Sequence, residues 1–149
     1  MNNIKIKGAC PRELMSFIYW YARHHGINHK LTVKFVDAYG HHEVARVFSS
    51  GVRNKLIFDL SQVPHPITLV ITGQFDFRKD QKQVITIYNK SPAVMVMHHK
   101  SAKRASLLDT LSHEIVHYEQ FKTTGDCHHY GLTERADELI KEFRDAICV

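Results

Sequence analysis

The sequence predicts a single α+β domain in which helices pack against one small mixed or antiparallel sheet. Three observations predict this class: a helical pattern near the start of the chain, short alternating segments in the middle, and two amphipathic segments in the last third. A chain of 149 residues can bury one hydrophobic core, and no repeat or linker divides it. We therefore expect one domain over residues 1–149.

The first predicted helix begins after Pro11 and ends at Gly26, because proline is favoured in the first turn of a helix and glycine just beyond its end. Residues 31–36, Leu-Thr-Val-Lys-Phe-Val, alternate between apolar and polar, as a half-buried strand does. Turn-forming residues separate the further predicted strands, and residues 93–97 are expected to form a short strand or a loop. These further strands are residues 43–48, 55–60, 67–72 and 83–88.

Two helices are predicted to close the chain. The first has apolar residues at 3-4-3 spacing from about 106 to 122 and ends at Gly125. The second has an apolar stripe from 132 to 147, with Thr133 as an early cap. The apolar positions are Leu108, Leu111, Ile115 and Tyr118 in the first helix, and Leu132, Ala136, Leu139, Ile140, Phe143 and Ile147 in the second.

Composition excludes several classes of protein. No apolar stretch approaches the roughly 20 residues that cross a bilayer, and residues 1–7 lack the features of a secretory signal, so we expect a cytoplasmic protein without a membrane partner. The net charge of +5 permits nucleic acid as a partner without requiring it, because the basic residues are scattered. Cys10, Cys127 and Cys148 are too widely spaced for a disulfide framework or a Cys-x-x-Cys zinc site.

His113, Glu114 and His117 form a His-Glu-x-x-His pattern inside the first closing helix. Residues four apart share a helix face, with Cβ atoms about 5–6 Å apart, so both imidazoles can bind one Zn²⁺ ion at roughly 2.0–2.1 Å. Zinc lowers the pKa of a bound water to about 7, and Glu114 can take a proton from that water and pass it to a leaving amine. The spacing therefore predicts metal-assisted hydrolysis, and its position in an amphipathic helix after a strand-rich region supports this interpretation.

A longer segment around this pattern resembles the active-site helix of SprT-like and minigluzincin-like zinc peptidases. It is Leu107-x-x-Thr110-Leu111-Ser112-His113-Glu114-Ile115-Val116-His117-Tyr118. Motifs carry the resemblance over about residues 84–143, and the rest of the chain agrees only in the order of its elements. The resemblance implies a zincin-like domain with an N-terminal helix, a small sheet, the active-site helix and a C-terminal helix. It also implies a metallopeptidase that uses one Zn²⁺ ion to hydrolyse a peptide or protein substrate.

The third zinc ligand is left open by the sequence, since a catalytic zinc usually has three protein ligands. Gluzincin-type enzymes use a glutamate on the next helix, which makes Glu134 the preferred candidate. SprT-like enzymes use a histidine just before that helix, which makes His128 or His129 the alternative. The remaining alternatives are Asp137, Glu138 or a site without a third protein ligand. An acidic residue in a first helical turn also stabilises the helix dipole without binding metal.

Residues 84–88 precede the active-site helix. Zincins pair their peptide substrate with an edge strand near the metal, and we hypothesise that this strand is that edge. The alternative, that residues 84–88 form an interior strand of the sheet, has equal weight.

Three other functions are compatible with the sequence. The first is a SprT-like protease that acts on DNA-bound proteins, which the resemblance and the basic charge favour. The second is a non-catalytic zinc-binding protein with a zincin fold, and the third is a basic nucleic-acid-binding module without metal. Substrate specificity and oligomeric state do not follow from the sequence.

Overall fold

In the part of the chain that the structure describes, two strands around a helix come first, followed by four further strands and three helices. A computed structural model describes residues 3–27, 30–37, 41–43, 68–70, 73–77, 83–125, 127 and 131–148. Within these residues the strands are β1 (Ile4–Lys7), β2 (Leu31–Val36), β3 (His41–Glu43), β4 (Thr68–Val70), β5 (Gly73–Phe77) and β6 (Gln83–Tyr88), and the helices are α1 (Arg12–His25), α2 (Pro92–Met95), α3 (Lys100–Thr124) and α4 (Leu132–Ile147). The predicted α+β class is confirmed.

The central sheet has four strands in the order β1-β2-β6-β5 and is mixed. β1, β2 and β6 run parallel, whereas β5 pairs antiparallel with β6. Two parallel neighbours need a crossover connection, and α1 supplies it between β1 and β2. β3 and β4 form a separate antiparallel pair.

One face of the sheet is buried and faces the helices. In β2 the buried residues Leu31, Val33 and Phe35 alternate with more exposed ones, as the sequence predicts. Ile85 and Ile87 continue the buried row in β6. This alternation directs the apolar side of the sheet into the single hydrophobic core that the described residues form.

The turn between β1 and α1 depends on Gly8, whose φ is +85°. A Cβ atom at this position would collide with the carbonyl oxygen of Phe35 in β2. Glycine is therefore needed here for both its backbone conformation and its small size.

α3 is the central helix of the fold. It spans 25 residues and contacts β5, β6, α1, α2 and α4. Because it is covered on several sides, every residue from Leu111 to Tyr118 is buried except His113, which is half-buried. Among the residues that the structure describes, none of the helices is both long enough and apolar enough to cross a bilayer.

Some sequence predictions need correction. For residues 93–97 we expect a short strand or a loop; instead residues 92–95 form helix α2, because the backbone amides of Val94 and Met95 both bond to the carbonyl of Ser91, and only residues 96–97 lie outside regular secondary structure. The N-cap of α4 is Gly131 and not Thr133, which lies inside the helix. β1 and β5 are strands that the sequence analysis does not predict, and Gly73 begins β5 where a turn is expected.

Several predicted strands fall wholly or partly outside the described residues. These are residues 55–60 and residues 44–48 of the predicted strand 43–48. Of the predicted strand 67–72, residues 68–70 form β4.

Candidate metal centre

α3 brings the two motif histidines together. The ring centroids of His113 and His117 lie 5.0 Å apart, with the ring planes at 79°. Two imidazoles that bind one zinc at about 2.0–2.1 Å and at a tetrahedral angle have centroids about 5 Å apart. The pair therefore fits a shared metal ion, as the one-turn spacing predicts.

The orientation of His117 is fixed by Gln120. His117 is only 7% exposed, and its Nδ1 lies 3.0 Å from Oε1 of Gln120. An amide oxygen can only accept a hydrogen bond, so Nδ1 is the donor in this contact. Metal-binding histidines are commonly oriented by such a bond from the ring nitrogen that does not bind the metal.

Glu114 is a buried carboxyl with a perturbed pKa. Glu114 is only 6% exposed. Burial, and to a smaller extent the negative charge of Asp76, raise the pKa of Glu114 from 4.5 to about 8. A carboxyl whose pKa lies near neutrality is suited to accept and return a proton in that range.

Glu134 lies in the first turn of α4 and is exposed. Across the described ranges, no group of three or more His, Cys, Asp or Glu side chains is arranged to hold a metal ion. The structure therefore brings His113 and His117 together but does not join Glu134 to them. His128 and His129 lie outside the described residues, so the identity of the third ligand stays a prediction.

Two described residues flank residues 128–130. Cys127 donates a hydrogen bond from Sγ to the carbonyl oxygen of His117 on α3, at 3.5 Å. Gly131 is the N-cap of α4, and its carbonyl oxygen accepts the first backbone hydrogen bond of that helix from the amide of Arg135, at 3.1 Å.

The hypothesis that residues 84–88 form the sheet edge is wrong. β6 pairs with β2 on one side and with β5 on the other, which makes it an interior strand. In the described sheet the outer strand on this side is β5. A Cβ atom on Gly73 would lie 2.7 Å from Cγ2 of Thr110, so β5 approaches α3 closely, one turn before His113 and Glu114.

Sequence reasoning misses two residues that act on this site. Gln120 is three residues after His117, and helical spacing alone predicts their contact. Asp76 lies in β5, which the sequence analysis does not predict, so its effect on Glu114 follows only from the tertiary structure.

No protein-family model, curated protein or solved structure is significantly similar to this chain. The resemblance to zinc peptidases therefore depends on the motif residues themselves.

Proposed function

We propose that this protein is a zinc-dependent peptidase of the zincin type. The observation that carries the proposal is the arrangement on α3: two imidazoles one turn apart with ring centroids at 5.0 Å, and the buried carboxyl of Glu114 in the same turn. A buried carboxyl between two histidines is costly for folding unless a cation or a proton compensates it. A metal ion held by the histidines would do so.

His113 and His117 would hold the ion, and Glu134 is the preferred third ligand, with His128 or His129 as the alternative. Zinc bound there would activate a water molecule for attack on a peptide carbonyl. Glu114 accepts a proton and then donates it to the leaving amine. A nearby cation favours the carboxylate form, which would lower the pKa of Glu114 from about 8 and prepare it to act as a base.

β5 is the strand that we assign to substrate binding. In the described sheet β5 is an outer strand, paired on one side with β6. At Gly73 it approaches Thr110 of α3, one helical turn before His113 and Glu114. An extended peptide can add to such an edge through main-chain hydrogen bonds. This arrangement favours peptides and unfolded protein segments as substrates.

The proposal is tested by zinc content and peptide hydrolysis in three variants. Glu114→Gln should retain zinc and lose hydrolysis, whereas His117→Ala should lose both. Asp145→Asn, the same acid-to-amide type of change at an exposed position of α4, should retain both. Zinc is measured by mass spectrometry of untagged protein, and hydrolysis on a pool of synthetic peptides.

Full hydrolysis by purified Glu114→Gln protein would contradict the mechanism. Wild-type protein that binds zinc and cleaves no peptide would indicate the non-catalytic alternative. The third ligand is identified by the zinc affinity of Glu134→Gln compared with His128→Asn and His129→Asn, because only loss of a ligand should weaken it strongly.

A further inference from the structure

Three consecutive apolar side chains are exposed where α2 leads into α3. They are Met95, Val96 and Met97, which are 50%, 65% and 36% exposed, and we call them the apolar tip. Six large apolar side chains are exposed among the residues that the structure describes, and half of them lie in this one segment. Single exposed apolar residues are ordinary on a protein surface, whereas a contiguous group commonly marks a binding surface.

The backbone of the apolar tip is anchored by the residues before it. Ser91 and Val94 are buried, and the carbonyl oxygen of Ser91 accepts hydrogen bonds from the amides of Val94 and Met95, at 2.9 Å each. The amide of Met97 donates to the carbonyl oxygen of Val94 at 3.1 Å. The apolar tip is therefore part of a hydrogen-bonded turn that is fixed to the core through Val94.

Three basic residues follow the apolar tip at the start of α3. Lys100, Lys103 and Arg104 are three and four positions apart and therefore share one side of the helix, which we call the basic face. Lys100 and Arg104 are exposed, and Lys103 is half-buried. In the described part of the chain, Arg104 is the one member of the basic face with a carboxylate partner, since its Nε lies 3.8 Å from Oε2 of Glu13.

The basic face is unfavourable for the helix that carries it. The N-terminal end of a helix has a partial positive charge, so cations in its first turns are destabilising. The first turn of α3 has no acidic residue, and within the described residues the N-cap His99 makes no side-chain capping hydrogen bond. Helix formation therefore gives no reason for this cluster of cations, whereas an anionic partner outside the protein gives one.

We propose that the apolar tip and the basic face together dock the protein onto the surface of an anionic lipid bilayer. Apolar side chains of such a surface enter the boundary between headgroups and acyl chains, and lysine and arginine beside them meet the anionic headgroups. Acyl chains adapt to an apolar side chain of any shape, so the apolar tip needs no complementary groove. This inference goes beyond the proposed function and does not depend on zinc.

The sequence analysis expects no membrane partner because no segment can cross a bilayer. Docking at the surface of a bilayer needs no such segment, because only side chains enter the lipid. The two kinds of group also have to act together, since apolar insertion is weak without attraction to the headgroups and attraction alone is screened by salt.

Cosedimentation with lipid vesicles tests the proposal. The wild-type chain should bind mixed phosphatidylcholine–phosphatidylglycerol vesicles, bind pure phosphatidylcholine vesicles more weakly, and dissociate as salt is raised. Met95→Ser combined with Val96→Ser should weaken binding to the mixed vesicles roughly 10-fold, because less apolar area is buried. Lys100→Gln combined with Lys103→Gln should weaken it roughly 10- to 30-fold.

Ile147→Ser and Lys141→Gln are the matched controls. They make the same types of change in α4, where Ile147 is 56% exposed and Lys141 is exposed as well. Both should bind the mixed vesicles as wild-type protein does. Circular dichroism verifies that each variant is folded, and if a double variant is not, Val96→Ser alone and Lys100→Gln alone are measured in its place.

A fluorescence measurement separates insertion from simple electrostatic adsorption. The chain has one tryptophan, Trp20, which packs against Phe17 and Phe143. Val96→Trp adds a second one at the apolar tip, and its emission should shift to shorter wavelength on the mixed vesicles, whereas the emission of wild-type protein should not. Absence of that shift, absence of wild-type binding, or equal losses in the α4 controls would overturn the proposal. A wild-type dimer that Val96→Ser dissociates would overturn it too, because a second copy of the chain would then cover the apolar tip.

Discussion

Glu114 should make the stability of the metal-free protein depend on pH. Its pKa is 4.5 when the carboxyl is in water and about 8 in the folded protein, so the folded state holds this proton more tightly than the unfolded chain does. The stabilisation from the protonated carboxyl is therefore fully present below pH 4.5 and is lost as the pH rises through about 8. Replacement by glutamine, which is neutral and nearly the same shape, removes this contribution.

The size of this change in unfolding free energy follows from the change in the pKa of Glu114. A change in pKa from 4.5 to about 8 corresponds to about 5 kcal/mol of unfolding free energy. This maximum is reached only if the cavity around the carboxylate stays dry at high pH, and entry of water reduces it. Because whole domains have unfolding free energies of about 5–15 kcal/mol, the metal-free protein should be near its limit of stability at pH 9.

Urea unfolding in the presence of a chelator measures this effect. Wild-type protein and Glu114→Gln are compared at pH 5 and pH 9 by circular dichroism, so that every other titrating group is common to both. Between pH 5 and pH 9 the unfolding free energy of wild-type protein should fall by up to about 4 kcal/mol more than that of the variant, because a small part of the effect is already lost at pH 5. Equal losses in the two proteins would show that Glu114 is solvated or already ionised in the fold, and the burial argument would then be wrong.

Three further predictions concern neighbours of the site and the core. Gln120→Ala should weaken zinc binding roughly 10- to 100-fold, because it removes the acceptor that orients His117, and Gln120→Glu should largely restore it. Gly73→Ala should destabilise the protein by about 1–3 kcal/mol in urea unfolding, and Thr110→Ser in that background should recover part of the loss, since it removes the Cγ2 atom that the new Cβ would meet. Phe143→Ala should cost about 3–5 kcal/mol in the same measurement, because the ring is 1% exposed and packs edge-on within the core.

Helices α1, α3 and α4 and two of the central strands could be predicted because their signals are local. Pro11 and Gly26 bound α1, and Gly125 caps α3 as expected. β1 also has a local signal, because isoleucine and lysine alternate along it, although the sequence analysis does not predict this strand. β5 also alternates, over Gln74-Phe75-Asp76-Phe77, but the segment is short and the glycine at position 73 predicts a turn.

Glycine is needed at position 73 because of tertiary packing. A side chain there would meet Thr110 on α3 and the backbone of β6, so only the packed structure explains why glycine begins a strand. The interior position of β6 has a similar origin, since it depends on pairing with β2 and β5 from distant parts of the chain. Strand order is a property of the whole topology, and local pattern does not determine it.

In the candidate site, too, some features follow from the local sequence and others only from the packed structure. Helical spacing alone places His113 beside His117, but it does not predict that the helix is buried around most of its circumference at that point. Three polar residues lie in that buried stretch: Ser112, Glu114 and His117. Ser112 bonds to the carbonyl of Asp109 at 2.9 Å, and His117 bonds to Gln120.

Glu114 differs from the other two. No described side chain donates a hydrogen bond to it, and its raised pKa records the cost of holding a carboxyl in an apolar environment. An apolar or amide side chain would serve the fold better at this position, so packing gives no reason for a glutamate there. A cation on the adjacent imidazoles gives one, because it would stabilise the carboxylate that burial disfavours. The same burial that destabilises the metal-free domain would then make metal binding and ionisation of Glu114 cooperative.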